Sequence, residues 1–152
     1  MVILFIFLPL LIIDQLTKFI IVKNFYPGES LPVIKGIFHI TLVLNKGIAF
    51  GMFAQTGVFL LLWIFLCVLI TILIFNKHKS ILPQTANKKI TRIYLSLILA
   101  GATGNLIDRL RFGCVVDFLD LRIWPVFNVA DMAISIAAGL LIIQMLRHKE
   151  IK

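Results

Sequence analysis

Two aspartates fourteen positions apart carry the chemical interest of this chain: Asp117 in Val115-Val116-Asp117-Phe118, and Asp131 in Phe127-Asn128-Val129-Ala130-Asp131. They border and enter an otherwise apolar final segment, where a carboxylate at membrane depth is costly and marks a functional position. Two carboxylates alone can hydrolyse a peptide bond when they share one proton. The ionised member takes a proton from water, and the protonated member polarises the scissile carbonyl and then assists departure of the amine. The proton belongs to the pair, so residue pattern alone does not divide the roles of acid and base.

Other hydrolytic chemistries lack their parts. His39, His78 and His148 are scattered and form no HExxH or comparable zinc arrangement. Ser96 and Ser135 have no Lys or His partner, and nothing brings Ser30 and Lys35 together. No phosphate-binding glycine loop occurs. Cys67 sits in an apolar run and Cys114 in a later loop, which suggests neither a disulfide framework nor a CxxC site.

The elements that must position the pair are membrane helices. Of 152 residues, 61% are hydrophobic and only seven are acidic, which leaves too little polar surface for an ordinary soluble domain. The fifteen Lys and Arg give a net charge of +8. Those outside the long apolar runs read as topology signals and argue against nucleic-acid binding. A hydrocarbon core of about 30 Å needs about 20 helical residues. Spans are accordingly expected at about 3–22, 57–75, 90–108 and 126–146, in a single domain covering 1–152. The first carries Asp14 and Lys18 and lacks a small-residue cleavage site, so it reads as a retained helix.

Lys77, Lys79, Lys88, Lys89 and Arg92 place the second connection in the cytoplasm, and Arg147, Lys149 and Lys152 place the tail there. Both termini are then inside, and the loops 23–56 and 109–125 face outward. Arg109, Arg111 and Arg122 run against that charge rule and are candidates for contacts with acids or lipid phosphate. At about 1.5 Å per residue, Asp14, Asp108 and Asp131 all come to the outer third of the bilayer, with Asp117 just above. Four of the seven acids thus meet at one level.

Asn105, Asp108 and Arg109 fall on one helix face, and Asn128 and Asp131 are likewise three apart. Ala100 and Gly104 offer a small-residue contact between helices. Asp14 and Lys18, acid first and four apart, form a structural ion pair at least as readily as a catalytic one. Asp108 could equally belong to a helix-end ion network, and Asp120 and Arg122 read as solvated loop charges. Two competing functions use the same residues. A proton-coupled transporter or relay would pass protons through Asp14, Asp108 and Asp131, although no internal repeat is evident and Asp117 at the membrane edge suits a water-activating pair better. A non-enzymatic assembly factor would tolerate amidation of the carboxylates.

The strings Asp14-Gln15-Leu16-Thr17-Lys18, Asn45-Lys46-Gly47-Ile48-Ala49-Phe50-Gly51, Gly104-Asn105-Leu106-Ile107-Asp108-Arg109, Val115-Val116-Asp117-Phe118 and Phe127-Asn128-Val129-Ala130-Asp131 closely resemble the bacterial lipoprotein signal peptidases, or signal peptidase II. All five occur in the family's order over essentially the whole chain. The resemblance implies an aspartyl endopeptidase of the bacterial inner membrane, without cofactor or metal. Such enzymes cut prolipoproteins just before a cysteine that carries a diacylglyceryl group. By position, Asp117 and Asp131 correspond to the catalytic dyad. Asn45, Asn105, Asp108, Arg109 and Asn128 correspond to substrate-contacting residues, and Asp14 and Lys18 to supporting ones. Globomycin-type inhibitors and membrane lipids are the other expected partners. Lys46 and Ile48 depart from the family's pattern within the Asn45 block.

The implied fold class is an all-α membrane protein, with four transmembrane helices, a small extracytoplasmic β-cradle and a short surface-lying helix. Residues 37–44 are rich in β-formers and suit a strand, and 47–56 suit the surface-lying segment. Such a lid would clamp acyl chains and shield the dyad from water.

Overall fold

The computed structural model describes residues 2–47 and 88–149. Three helices and one sheet are present among them: α1 (Val2–Asn24), β1 (Ser30–Ile34), β2 (Phe38–Asn45), α2 (Lys88–Phe112), β3 (Val115–Asp120) and α3 (Val129–Lys149). The expected span at 57–75, the surface-lying segment beyond residue 47, Cys67 and His78 lie outside the described residues.

Helix α1 is inside out relative to a soluble helix. Its buried positions Asp14, Lys18 and Ile21 fall on one stripe, whereas Ile12, Ile13, Leu16 and Phe19 are at least half exposed. Apolar side chains outward and charges inward are what a hydrocarbon solvent selects. Leu4–Asn24 is long and apolar enough to cross a membrane.

Helix α2 packs between α1 and α3. The approach to α3 is close because small residues line it: Gly101 and Gly104 of α2 lie against Ala130 of α3, and Ala133 and Ala137 of α3 are buried. Of the expected Ala100 and Gly104 pair, Gly104 is at this contact, Gly101 joins it, and Ala100 is buried. A Cβ on Gly101 would run into the Ala130 carbonyl and Ile134, and one on Gly104 would run into the Asp14 carboxylate. Helix α2 ends at Gly113, whose positive φ of 69° lets its N–H return to the Arg109 carbonyl at 3.0 Å.

The sheet is antiparallel in the order β1-β2-β3. It corrects the all-α class. The strand expected at 37–44 is β2, but β1 and β3 were not expected as strands, and Asp117 stands on β3 rather than in a loop. Pro32 masked β1, and it is tolerated because β1 is an edge strand. In β3 the acids Asp117 and Asp120 are three apart, which breaks the period of two that announces a strand.

One irregular step reconciles that spacing. Ile40 pairs with Leu119 and Val43 with Asp117, so β2 advances three residues while β3 advances two. At the same place, Phe118 and Leu119 both donate their N–H to the Phe127 carbonyl, at 3.0 and 2.8 Å. Both side chains pack on the cluster of Ile21, Leu42 and Val116 beneath the sheet. With two successive residues turned to the core, Asp117 and Asp120 both reach residues of β2, Asn45 and Thr41 respectively.

Candidate functional site

Beneath the sheet, a buried ion network ties the elements together. Lys18 Nζ lies 2.9 Å from Asp14 Oδ2 and 2.8 Å from Asp108 Oδ2, and donates to Asn105 Oδ1 at 3.0 Å. Gln15 Nε2 donates to Asp14 Oδ2, Asp108 Oδ1 and the Gly104 carbonyl at 3.1–3.2 Å. Asp14 Oδ1 accepts from the Ala130 N–H at 2.9 Å, and Asp108 Oδ2 accepts from the Val116 N–H at 3.1 Å. One lysine and two carboxylates thereby join α1, α2, α3 and β3. Asp108 is grouped by these contacts with Asp14 and Lys18. Gln15 was not singled out from the sequence, because an uncharged amide in an apolar run gives little signal.

Asn128 is the hinge of the site. It stands just before α3, and its Oδ1 accepts from the Asp131 N–H at 2.9 Å while Asp131 Oδ2 accepts from the Asn128 N–H at 3.3 Å. This reciprocal pair is a capping box with Asp in the third position, and it satisfies helix-end donors that would otherwise be unpaired. The Asn128 Nδ2 donates to Asp117 Oδ1 at 2.7 Å and, less closely, to Asn105 Oδ1 and the Val116 carbonyl at 3.1 and 3.3 Å. One side chain therefore touches both aspartates.

The remaining carboxylate oxygens are held by neutral amides. Asn45 Nδ2 donates to Asp117 Oδ2 at 2.9 Å, with Asn45 Oδ1 itself fixed by the Gly47 N–H at 3.0 Å. Asn105 Nδ2 donates to Asp131 Oδ1 at 2.8 Å. Arg109 Nη1 donates to the Asn105 carbonyl at 3.2 Å. Asp117 is 2% exposed, and Asp131 is half-buried. Burial above all pushes the Asp117 carboxyl up from 3.8 to about 7; the Asn45 and Asn128 amides oppose the rise and the neighbouring Asp131 charge adds to it.

Of the other candidates, Ser96 spends its hydroxyl on the Arg92 carbonyl at 2.6 Å. The expectation of solvated loop charges fails for Asp120, which is 5% exposed. It accepts from the Thr41 hydroxyl at 2.8 Å, and from the Arg122 N–H and guanidinium at 2.8 and 3.1 Å. Burial acts to raise its carboxyl, but these donors hold it below its ordinary value.

The strand aspartate Asp117 and the helix aspartate Asp131 are thus held by three asparagines, one of which, Asn105, also accepts from Lys18. The family model for signal peptidase (SPase) II matches residues 6–147. The chain belongs to the signal peptidase II family. A lipoprotein signal peptidase of Moorella thermoacetica is 52% identical over 145 residues, covering 93% of this chain and 92% of that one. The lipoprotein signal peptidase of Halothermothrix orenii is 38% identical over 144 residues, covering 95% and 94%. A solved bacterial membrane enzyme superposes with a TM-score of 0.83 at 31% identity, over 99% of this chain and 90% of that one. A second gives 0.78 at 32% identity, over 95% and 92%. As a signal peptidase II family member, the chain is a peptidase of the membrane.

Proposed function

We propose that this chain is a membrane aspartyl endopeptidase that removes the signal peptide from diacylglyceryl-modified prolipoproteins, cutting just before the lipidated cysteine, with Asp117 and Asp131 as its catalytic dyad. The observation that carries the reading is the position of Asn128, which bonds Asp117 with its carboxamide and exchanges capping bonds with Asp131. It fixes two acids from different elements at one place.

At neutral pH the pair holds one proton, favoured by the burial of Asp117 and the charge of its partner. The ionised oxygen takes a proton from the attacking water, and the protonated carboxyl donates a hydrogen bond to the scissile carbonyl. The proton then passes to the leaving amine. Asn45 and Asn105 keep one oxygen of each acid in place, so the carboxylates need little reorganisation as charge develops. Asn45, Asn105, Arg109 and Asn128 are the substrate-side polar residues of this reading. Asp14, Lys18 and Asp108 are the frame behind them.

The proposed topology is a single domain of four transmembrane helices in the bacterial cytoplasmic membrane. Both termini lie in the cytoplasm, and the dyad lies near the outer face. A lipidated cysteine has its acyl chains in the outer leaflet, which brings the scissile bond to that level. Prolipoproteins, membrane lipids and globomycin-type inhibitors are the partners. The location of Asp117 on a strand outside the helices favours water activation over a transmembrane proton relay.

The test uses purified wild type, Asp117→Asn and Asp131→Asn on a diacylglyceryl prolipoprotein, with and without a metal chelator. Wild type cleaves in both conditions, and each folded variant loses cleavage. Substantial activity in either folded variant overturns the dyad.

A further inference from the structure

The polar face of the sheet carries a second hydrogen-bond chain that the proposed chemistry does not use. It runs through all three strands: Ser30 on β1, His39 and Thr41 on β2, and Asp120 on β3, with Arg122 just beyond. Asp120 is buried and receives three donors, one of them a guanidinium, so it is the acceptor at the end of the chain. Thr41 Oγ1 gives its only proton to Asp120 Oδ2 at 2.8 Å, so it must accept from Ser30 Oγ, 2.8 Å away. Ser30 has then used its proton too, and accepts from His39 Nδ1 at 3.2 Å. His39 Nδ1 is therefore the donor, and Nε2 is buried without a hydrogen-bond partner among the described residues.

Every donor in the chain points toward Asp120, whose two oxygens accept them all. The chain also sits where the sheet is least regular. Thr41 lies within the step at which β2 advances three residues against two of β3. Four residues further along β2 is Asn45, which bonds Asp117 Oδ2, and three residues back along β3 from Asp120 is Asp117 itself. The two contacts, Thr41 to Asp120 and Asn45 to Asp117, bracket the irregular step. If β2 slipped by one residue, the alternation of side chains would carry Asn45 to the other face of the sheet.

We infer that Thr41 and Asp120 are positioning residues of the dyad: their hydrogen bond pins the irregular β2–β3 step and thereby the register that lands the Asn45 carboxamide on Asp117. The inference rests on the dyad reading above. Arg122 contributes by holding Asp120 from the solvent side, and it adopts a positive φ of 64° to do so with both its N–H and its guanidinium.

Thr41→Val removes the hydroxyl with little change of shape, and Thr41→Ser restores it. Thr41→Val is expected to lower kcat about tenfold or more, as a small displacement of a catalytic contact does, with KM little changed. Thr41→Ser should return kcat to within about twofold of wild type. The Asn45 bond holds the Asp117 carboxyl down, so Thr41→Val and Asn45→Ala should both move the alkaline limb of the kcat profile to higher pH. A loss of folded protein alone would scale the profile without moving it. In an Asn45→Ala background, Thr41→Val should add less than about twofold, because its effect passes through Asn45.

Should Thr41→Val fail to fold, Asp120→Ala, which removes the acceptor, takes its place in the same cycle, with the same expectations. Wild-type kcat and pH profile in the folded variant, or effects that multiply in full with Asn45→Ala, overturn the inference. Asp117→Asn assayed alongside separates the two readings. Its inactivity beside a fully active Thr41→Val removes the positioning role alone, whereas its full activity removes the dyad.

Discussion

The carboxamide of Asn128 donates to Asp117 Oδ1 at 2.7 Å, so the cap of helix α3 is also a support of the strand aspartate. Asn128→Ala removes both functions. The expected loss of stability is about 1–2 kcal/mol from the cap, read as a lower melting temperature in detergent, together with at least about a hundredfold loss of kcat from misplacement of the pair. Asn128→Ser keeps a capping acceptor but is too short to hold Asp117. It should melt closer to wild type and still fail to cleave, which separates the two contributions of this residue.

The Asp117 carboxyl is at about 7 in the folded protein against 3.8 ordinarily, chiefly through burial. The native state therefore binds more protons than the unfolded state between those values. The stability contributed by this group is complete below about pH 4 and is lost as pH rises through about 7. In Asp117→Asn the group no longer titrates. The difference in melting temperature between variant and wild type should accordingly move in favour of the variant from pH 5 to pH 8. A difference that is flat across this range would show that Asp117 titrates normally. Wild-type cleavage should in turn decline above about pH 7, as the pair loses its shared proton.

Lys18 is 3% exposed and faces two carboxylates at 2.9 and 2.8 Å. Lys18→Met leaves Asp14 and Asp108 buried without their cation, and the expected destabilisation is about 3–5 kcal/mol. Thermal unfolding measures it. The double variant Lys18→Met/Asp14→Asn should recover part of that loss, because one of the two uncompensated charges is gone.

The glycines of the helices should separate sharply. Gly104→Ala drives a methyl group into the Asp14 carboxylate, and Gly101→Ala drives one into the Ala130 carbonyl. Each should cost about 1–3 kcal/mol. Among the described residues nothing lies within 4 Å of the Cβ position of Gly139, so Gly139→Ala should be neutral or stabilise by up to about 1 kcal/mol. Melting temperatures of the three variants test the close approach of α2 to α1 and α3 directly.

The polar blocks of the site were legible in the sequence because charge in an apolar chain announces itself. Asp14 with Lys18, Asn105 with Asp108, and Asn128 with Asp131 each declared a shared helix face by spacing alone, and the structure joins them in two linked networks. The starts and ends of α1, α2 and α3 lie within about four residues of the expected spans. The sheet was harder to read. Pro32 argues against a strand unless the strand is known to be at an edge. The three-residue spacing of Asp117 and Asp120 argues against one unless the irregular step is known. Edges and register belong to pairings between distant segments, which local patterns do not encode. For the same reason Asp120 looked solvated, since its burial depends on Thr41, some eighty positions earlier in the chain. Gly101 was passed over because a glycine in an apolar helix shows its purpose only when the neighbouring backbone is present.

The capping box at the head of α3 has a consequence for how this protein can change. Enzymes commonly hold their reactive groups at some expense of stability, so that inactivating them yields a firmer scaffold. Asp131, of the proposed dyad, departs from that pattern, because its carboxylate closes the first turn of its own helix. Asp117 and Asp131 therefore face mutation under opposite pressures. Neutralising the strand acid relieves a buried charge above neutral pH, while truncating the helix acid loosens the fold. A stable but silent descendant of this chain would arise more readily by loss of the first aspartate than by loss of the second.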